Sequence, residues 1–227
     1  MWTIFKKELK SYFLSPIGYV VIGVLLLMFT IFFYTTTVDF GLVYLTYMYQ
    51  NGLVWGLILA VPLLTMRTFS EERKTGTEQL ILTSPISMVS VVLGKFFAAL
   101  SVIVIALLVS FMYLGIISYF GNPSIPVLLV IMLGFVLVSG AAIAVGMLAS
   151  SITESQVISG IITIGFLILS LFLPEVGPEF PDISVLKFYN KFPYGVISLS
   201  ELVGVISFTA MFIAFTIIVM QRRKLVK

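Results

Sequence analysis

The stretch RTFSEERKTGTEQLILTSPISMVSVVLGKF, residues 67–96, decides the fold because it gathers seven charged residues between two uncharged apolar tracts. No charged residue occurs between Phe40 and Met66 or between Phe96 and Thr153. A charge near the centre of a bilayer costs at least ~2.5–3.5 kcal/mol on insertion scales. We therefore predict that this stretch, the charged window, is a loop in water between membrane spans and transmits function by contact with another protein.

The composition is that of a polytopic membrane protein. Hydrophobic residues make up 60% of the chain and charged residues 10%, against about 25% charged in soluble proteins, and the mean hydropathy is +1.17. The sequence has no Cys and no His, which removes disulfides, thiolate metal sites and the usual general base. A net charge of +3 is no sign of nucleic-acid binding, and no catalytic, cofactor or metal site is predicted.

Apolar tracts of sufficient length predict an all-α membrane protein whose single transmembrane domain, 1–227, has six spans. A helix of about 20 apolar residues crosses ~30 Å of hydrocarbon. The turn sequence GNPSIP at 121–126 divides one long tract into two spans. The predicted spans are 16–37, 51–66 (with an earlier start left open), 88–119, 124–149, 156–173 and 202–221.

The first 15 residues are predicted to form an amphipathic elbow helix at the membrane interface. Aromatic and apolar residues recur at helical spacing, lysines fall on other faces, and Ser15-Pro16 ends the helix. The predicted interface residues are Trp2, Phe5, Lys6, Lys7 and Lys10. The alternative is a solvated N-terminal tail.

Three further features belong to the outer side or to packing. Residues 174–201 contain four prolines and many aromatic residues, which predicts an outer re-entrant segment, and Ser198 and Glu201 have capping-box spacing for the last helix. An outer aromatic belt is predicted from Tyr44, Tyr47, Tyr49 and Trp55. The fourth span is rich in Gly, Ala and Ser, which favours close helix contact within the subunit or between subunits.

The basic residues predict the orientation. Three lie near the N-terminus, four in the charged window and four at the C-terminus, so eleven of the 13 lie on one side of a six-span topology. The other side holds Lys187 and Lys191. By the positive-inside rule, both termini and the charged window are predicted to be cytoplasmic.

Within the charged window, residues 70–86 are predicted to form a loop with a short helix. Thr75 and Glu78 have capping-box spacing, so a helix is predicted to begin near Gly76, with Ser84-Pro85 ending it. Ser87 can cap the third span. A helix hinged by Gly76 and Pro85 between two spans would move both spans when a partner pushes it. The alternative is an ordinary solvated loop whose charges only set topology.

The run FSEERKTGTEQLILTSPIS followed by VLGKF resembles the signature loop of permeases of ABC-type exporters of the second class. It is most similar to the subgroup with the gliding-motility permease and the permease for nitrous-oxide reductase maturation. The matching positions are Glu71, Glu72, Gly76, Thr77, Glu78, Pro85, Gly94, Lys95 and Phe96.

The resemblance implies a transmembrane exporter subunit that dimerises with a second copy or a related permease and works with a separate cytoplasmic ATPase. It implies that residues 71–82 are the coupling helix on that ATPase, with contacts from Glu71, Glu72, Arg73, Thr75, Gly76, Thr77, Glu78 and Leu80. The chain contains no G-x-x-x-x-G-K-[ST], so ATP and Mg²⁺ are expected on the partner, and the protein itself is not expected to be an enzyme.

Alternative functions remain at this stage. A secondary transporter usually carries ionisable residues at mid-membrane depth, and the predicted spans have none there. A membrane scaffold or assembly factor without transport is the other alternative. The expected location is the bacterial or archaeal cytoplasmic membrane, among its lipids, with a partner protein on the outer side left open and the substrate unassigned.

Overall fold

The computed structural model describes residues 1–39, 45–84, 86–120, 124–176, 185–189 and 191–226. Within these ranges the chain forms nine α-helices and no strand. The helices are α1 (Trp2–Leu14), α2 (Ile17–Phe33), α3 (Leu45–Thr65), α4 (Ser70–Lys74), α5 (Glu78–Thr83), α6 (Met88–Phe120), α7 (Ile125–Ile152), α8 (Gln156–Val176) and α9 (Leu199–Val226). A π-helical turn, Tyr34–Asp39, continues α2, and two 3₁₀ turns, Leu186–Tyr189 and Phe192–Tyr194, precede α9.

Five helical stretches among the described residues are long and apolar enough to cross a membrane, which confirms an all-helical, multi-pass membrane protein. They are Ile17–Thr36, Tyr47–Lys74, Met88–Tyr119, Ile125–Ile152 and Leu199–Lys224. The apolar part of α8, Gln156–Phe172, is shorter. Over its whole length of 21 residues, α8 extends about 31 Å at 1.5 Å per residue.

The core lies around α3 and α7. Two-thirds of the most apolar window of each of these helices is buried, against 11% of that of α9. The small residues of α7 are buried within the subunit, and a Cβ on Gly146 would lie within 3 Å of the Thr65 side chain on α3. Of the two uses predicted for these small residues, packing inside the subunit is the one observed.

Both ends of the chain meet the charged window. Glu8 of α1 and Arg223 of α9 each form an ion pair with residues of the window. The chain therefore begins and ends at the same end of the helix bundle as residues 67–95.

Helix α8 connects this end of the bundle to the opposite one. Its start follows Glu154, which pairs with Arg73 in the window. Further along, Ser170 accepts a hydrogen bond from the backbone N–H of Val185 in the segment before α9. Helix α8 therefore runs along the bundle beside its longer neighbours.

The aromatic belt is wrong at one position. Tyr49 is fully buried, contacts the ring of Phe29 and lies 3.0 Å from Ser110 Oγ through its hydroxyl. Helix α3 begins at Leu45, before the predicted 51, and so turns Tyr49 into the core, while Tyr47 and Trp55 are exposed. Tyr44 lies outside the described residues.

The segment before α9 is packed against the bundle where it is described. Phe192 is fully buried against Gly134 of α7, and Tyr189 donates a hydrogen bond to the carbonyl of Ile131. The capping box predicted for α9 is not formed as expected, because Glu201 lies 3.6 Å from Lys191 Nζ instead. Residues 177–184 and 190 of the predicted re-entrant segment lie outside the described residues.

Candidate functional site

The predicted coupling helix is two short helices, and we call residues 70–83 the α4–α5 segment. Thr75 Oγ1 donates to the carbonyl of Glu71 at 2.9 Å and lies 2.9 Å from Thr77 Oγ1, so it closes the end of α4 instead of capping α5. Gly76 follows with a φ of +74°, which favours glycine. Helix α5 begins at Glu78, two residues after Gly76, near the start that the sequence predicts. The break at Gly76 divides the single coupling helix expected over 71–82 into α4 and α5. Pro85, the other predicted hinge, lies outside the described residues.

Helix α4 is anchored at its start by a residue of α7. The backbone N–H groups of Phe69 and Ser70 both donate to Ser150 Oγ at 3.1 Å. This satisfies donors that the start of a helix leaves without a partner. Ser150 was not singled out from the sequence, because a cap supplied by a residue 80 positions away has no local signal.

A buried lysine joins α4 to α1 and α6. Lys95 is 2% exposed, and its Nζ lies 2.8 Å from Glu72 Oε1 and 3.2 Å from Glu8 Oε1. The same nitrogen donates to the carbonyl of Thr68 at 2.8 Å and lies 5.2 Å from the centre of the Phe69 ring. Such burial of an ammonium requires charged and hydrogen-bonding partners, and Lys95 has both.

Helix α1 is held along α6 and against the end of α3. The side chain of Ile4 packs at the surface of Gly94, where a Cβ would lie 3.0 Å from it. Tyr12 donates a hydrogen bond to the carbonyl of Leu64 at 3.3 Å. Burial, together with the charge of Glu8, raises the pKa of the Tyr12 phenol, which keeps it a neutral donor.

The residues predicted for the interface lie on the outer surface of α1. Trp2 is exposed and stacks on Phe5, with Lys6 Nζ 5.1 Å from the Trp2 ring. Lys6, Lys7 and Lys10 are exposed. The helix is as predicted; its place in the membrane interface stays a prediction.

A second ion pair joins α4 to the turn between α7 and α8. Arg73 NH2 lies 2.7 Å from Glu154 Oε1, and its NH1 donates to the carbonyl of Ile152 at 3.1 Å. Arg73 therefore bridges α4 to the end of α7, where a cation is favoured by the free carbonyls of the last turn.

A third ion pair joins α5 to α9. Arg223 NH1 lies 3.1 Å from Glu78 Oε1, and the neighbouring Lys224 Nζ donates to the carbonyl of Ser84 at 3.2 Å. Glu78 is 7% exposed. We call this set of contacts the α5–α9 clasp.

The predicted site residues divide into two groups by where they point. Glu72, Arg73 and Glu78 each pair with another side chain of this chain, and their own side chains are 16%, 29% and 9% exposed. Their expected contacts with a partner stay a prediction. Glu71 is half-buried. The exposed face of the segment is formed by Lys74, Thr75, Gly76, Thr77, Gln79 and Leu80. Leu80 is 73% exposed and is the large apolar side chain of this face.

A cavity of about 270 Å³ separates α5 from α1. Ile4, Leu80, Ile86 and Val91 form its apolar wall, and Lys95 closes one side. Glu8 also lines the cavity and pairs with Lys95. Among the described residues no group of three His, Cys, Asp or Glu side chains converges as a metal site would require.

Comparison with known families assigns the chain to a family. A family model described as "ABC-2 family transporter protein" matches residues 53–216, which is most of the chain and includes the α4–α5 segment. No curated protein matches the chain. Proteins of this family are transmembrane components of ABC transporters and are not themselves catalytic; the family implies a cytoplasmic ABC ATPase as partner and dimerisation in general. With its apolar helices and this match, the chain belongs to the ABC-2 transporter permease family and is a multi-pass membrane protein.

Proposed function

We propose that this protein is the permease subunit of an ABC exporter, driven by ATP hydrolysis on separate cytoplasmic ATPases that bind ATP and Mg²⁺. The observation that carries the proposal is the anchoring of the α4–α5 segment. Ion pairs and hydrogen bonds join it to α1, α6, the α7–α8 turn and α9. A partner that pushes this segment therefore moves several membrane helices together.

The proposed topology has six spans with both termini in the cytoplasm. Five stretches are long and apolar enough to cross, and α8 would be the sixth span. An even number of spans would place both termini on one side. The contacts of Glu8 and Arg223 with the charged window support the same side for both termini. The excess of basic residues at this end favours the cytoplasmic side of the inner membrane, with α1 lying on anionic lipid headgroups.

The proposed ATPase contact is the exposed face of the α4–α5 segment. Leu80 would enter an apolar pocket of the ATPase, and Thr77, Gln79 and Lys74 would contact its polar rim. Glu72 and Glu78 act indirectly, by holding the segment in place. The resemblance of this segment to the gliding-motility and nitrous-oxide-reductase-maturation subgroup supports membership of that subgroup as part of the proposal.

The proposed mechanism is a shift in the population of two states of the membrane domain. ATP-driven closure of two ATPases would favour one position of the α4–α5 segments, and hence one arrangement of the attached helices. A single chain offers one set of spans, so a second copy or a related permease would complete the transport path. Export of an amphipathic substrate and mechanical work on an outer partner both fit this cycle.

The proposal is tested by purifying the tagged protein from its native membrane in mild detergent and identifying its partners by mass spectrometry. We expect an ABC ATPase with the wild type and its loss in Leu80→Asp. Ser87→Asp is the matched control, because it places the same charge nearby at a position that caps α6 and Asp is a good cap. Absence of an ATPase from the wild-type sample in several detergents would favour a scaffold or a secondary transporter.

A further inference from the structure

The α4–α5 segment has separate anchors on the two sides of Gly76. On the N-terminal side, Glu72 and Arg73 join α4 to Lys95 and Glu154, which belong to α6 and the α7–α8 turn. On the C-terminal side, the described ion pair of α5 is the one between Glu78 and Arg223 of α9. The two halves of the segment are thus attached to different parts of the bundle.

Helix α5 depends on the clasp for its stability. It has six residues, and isolated helices shorter than about 12 residues are marginal in water. Arg223 meets Glu78 at the start of α5, and Lys224 donates to the carbonyls of Ser84 and Ile86 just beyond its end, at 3.2 and 3.5 Å. Two consecutive residues of α9 therefore hold both ends of α5.

Gly76 is the point where the two halves can turn relative to each other. Its φ of +74° is a conformation that other residues adopt at a cost. A Cβ built on Gly76 would have no atom within 4 Å, so neighbouring side chains do not restrict this point. Two hydrogen bonds cross this point, because Thr77 Oγ1 lies 2.9 Å from Thr75 Oγ1 and donates to the carbonyl of Glu72 at 3.3 Å. Rotation at Gly76 would exchange these two bonds for bonds to water and leave the ion pairs of Glu72 and Arg73 in place.

Helix α9 has the least buried apolar window of the five long membrane helices. In the most apolar stretch of each helix, 11% of the residues are buried in α9, against 39% in α6 and 67% in α7. A displacement applied at its end therefore breaks fewer packed contacts than the same displacement applied to α7.

We propose that α5 and the end of α9 form one mechanical unit, joined by Glu78, Arg223 and Lys224, which turns at Gly76 relative to α4. Arg223 and Lys224 are positioning residues: they pass a movement of the exposed α5 face to the last membrane helix. The role of this unit in transport rests on the proposed function, whereas its existence as a unit does not.

Hydrogen–deuterium exchange of the purified protein tests the unit without any ATPase. We expect Arg223→Glu to speed amide exchange in α5 about tenfold, because the loss of one charged hydrogen bond lowers protection by about that factor. Amide exchange in α4 should keep its wild-type rate. Glu78→Arg should act alike, and the double variant Glu78→Arg/Arg223→Glu should return exchange in α5 towards the wild-type rate. The control is Arg222→Glu, which changes the adjacent exposed arginine and should change neither helix.

Unchanged exchange in α5 of Arg223→Glu would overturn the proposal, as would equal acceleration in α4 and α5 or failure of the double variant to restore the rate. ATP turnover of the complex with a co-purified ATPase then tests the role in transport. Each single reversal should lower turnover several-fold while the ATPase stays bound, and the double reversal should restore most of it. If the wild type recovers no ATPase, the proposed function fails, but the exchange experiment still decides whether α5 and α9 form a unit.

Discussion

Lys95 Nζ lies 2.8 Å from Glu72 Oε1 although these residues come from different helices, α6 and α4, and the lysine is 2% exposed. Glu8 of α1 completes the cluster at 3.2 Å. Lys95, the lysine of the sequence VLGKF, therefore links α1, the α4–α5 segment and the membrane helix α6 through its two ion pairs. These contacts hold the three elements in fixed positions relative to one another.

We expect Lys95→Met to destabilise the protein by about 3 kcal/mol, because it leaves two mostly buried carboxylates without their counter-charge. The measurement is the unfolding midpoint of the purified protein in detergent. Lys74→Met, at an exposed position of the same loop, should leave the midpoint within error. The triple variant Lys95→Met/Glu72→Gln/Glu8→Gln should recover part of the loss, since it removes the uncompensated charges. Equal midpoints for the two single lysine variants would contradict this account of the cluster.

Close packing between α7 and the segment before α9 gives a second prediction. A Cβ on Gly134 would lie 2.4 Å from the ring of Phe192, which is fully buried. Gly134→Ala should therefore displace the 3₁₀ turn and increase protease cleavage near 185–194, with a cost of about 1–3 kcal/mol for overpacking. Gly115→Ala is the control, since a Cβ there meets no atom within 4 Å. Equal cleavage of both variants would show that the turn is not held by this contact.

The sequence predicted much of the fold because long apolar tracts and Gly-Pro turns are local signals. It identified an all-helical membrane protein and the division of one long apolar tract into α6, which ends at Phe120, and α7, which begins at Ile125. It also identified a cap at Ser87, whose Oγ accepts the N–H of Ser90 at 3.3 Å. Tyr49 was misplaced because the start of α3 lacks a capping signal, and a shift of a few residues turns a side chain from lipid to core.

The sequence indicates the α4–α5 segment as a candidate contact surface, but it does not indicate which of the segment's side chains pair within the chain. The resemblance to exporter permeases implies that Glu72 and Glu78 contact a partner. Their partners, Lys95 and Arg223, lie 23 and 145 positions away, and no local pattern indicates such pairs. Leu80 is exposed where the neighbouring Glu78 is buried, so Leu80 is the stronger candidate for contact with a partner.

The backbone at Gly76 predicts a selective effect of substitution. Gly76→Val should lower ATP turnover of the complex, because a β-branched residue at a positive φ is strained and resists the turn between α4 and α5. Gly76→Asn should be tolerated, since Asn adopts this conformation more readily. Turnover should be measured at equal ATPase occupancy of the two variants. If Val and Asn give the same turnover, the conformation of Gly76 does not limit the cycle.

The proposed orientation can be read by cysteine labelling, because the chain has no Cys of its own. Thr77→Cys and Ser124→Cys place single thiols at exposed positions on opposite ends of the bundle. A membrane-impermeant maleimide should label Ser124→Cys in intact cells and Thr77→Cys only after the membrane is opened. The reverse pattern would show that the protein has the opposite orientation in the membrane. Labelling of both thiols in intact cells would contradict a topology of six spans with both termini on the same side.

Site-specific photo-crosslinking tests the central claim most directly. A photoreactive amino acid would replace Leu80 on the exposed face of the α4–α5 segment, or Tyr119, an 86% exposed residue near the opposite end, as the control. After illumination of living cells, the adducts are identified by mass spectrometry. The account predicts an adduct with an ABC ATPase from position 80 and none from position 119. No ATPase adduct at position 80, with the protein correctly inserted, would contradict the assignment of this face as the ATPase contact.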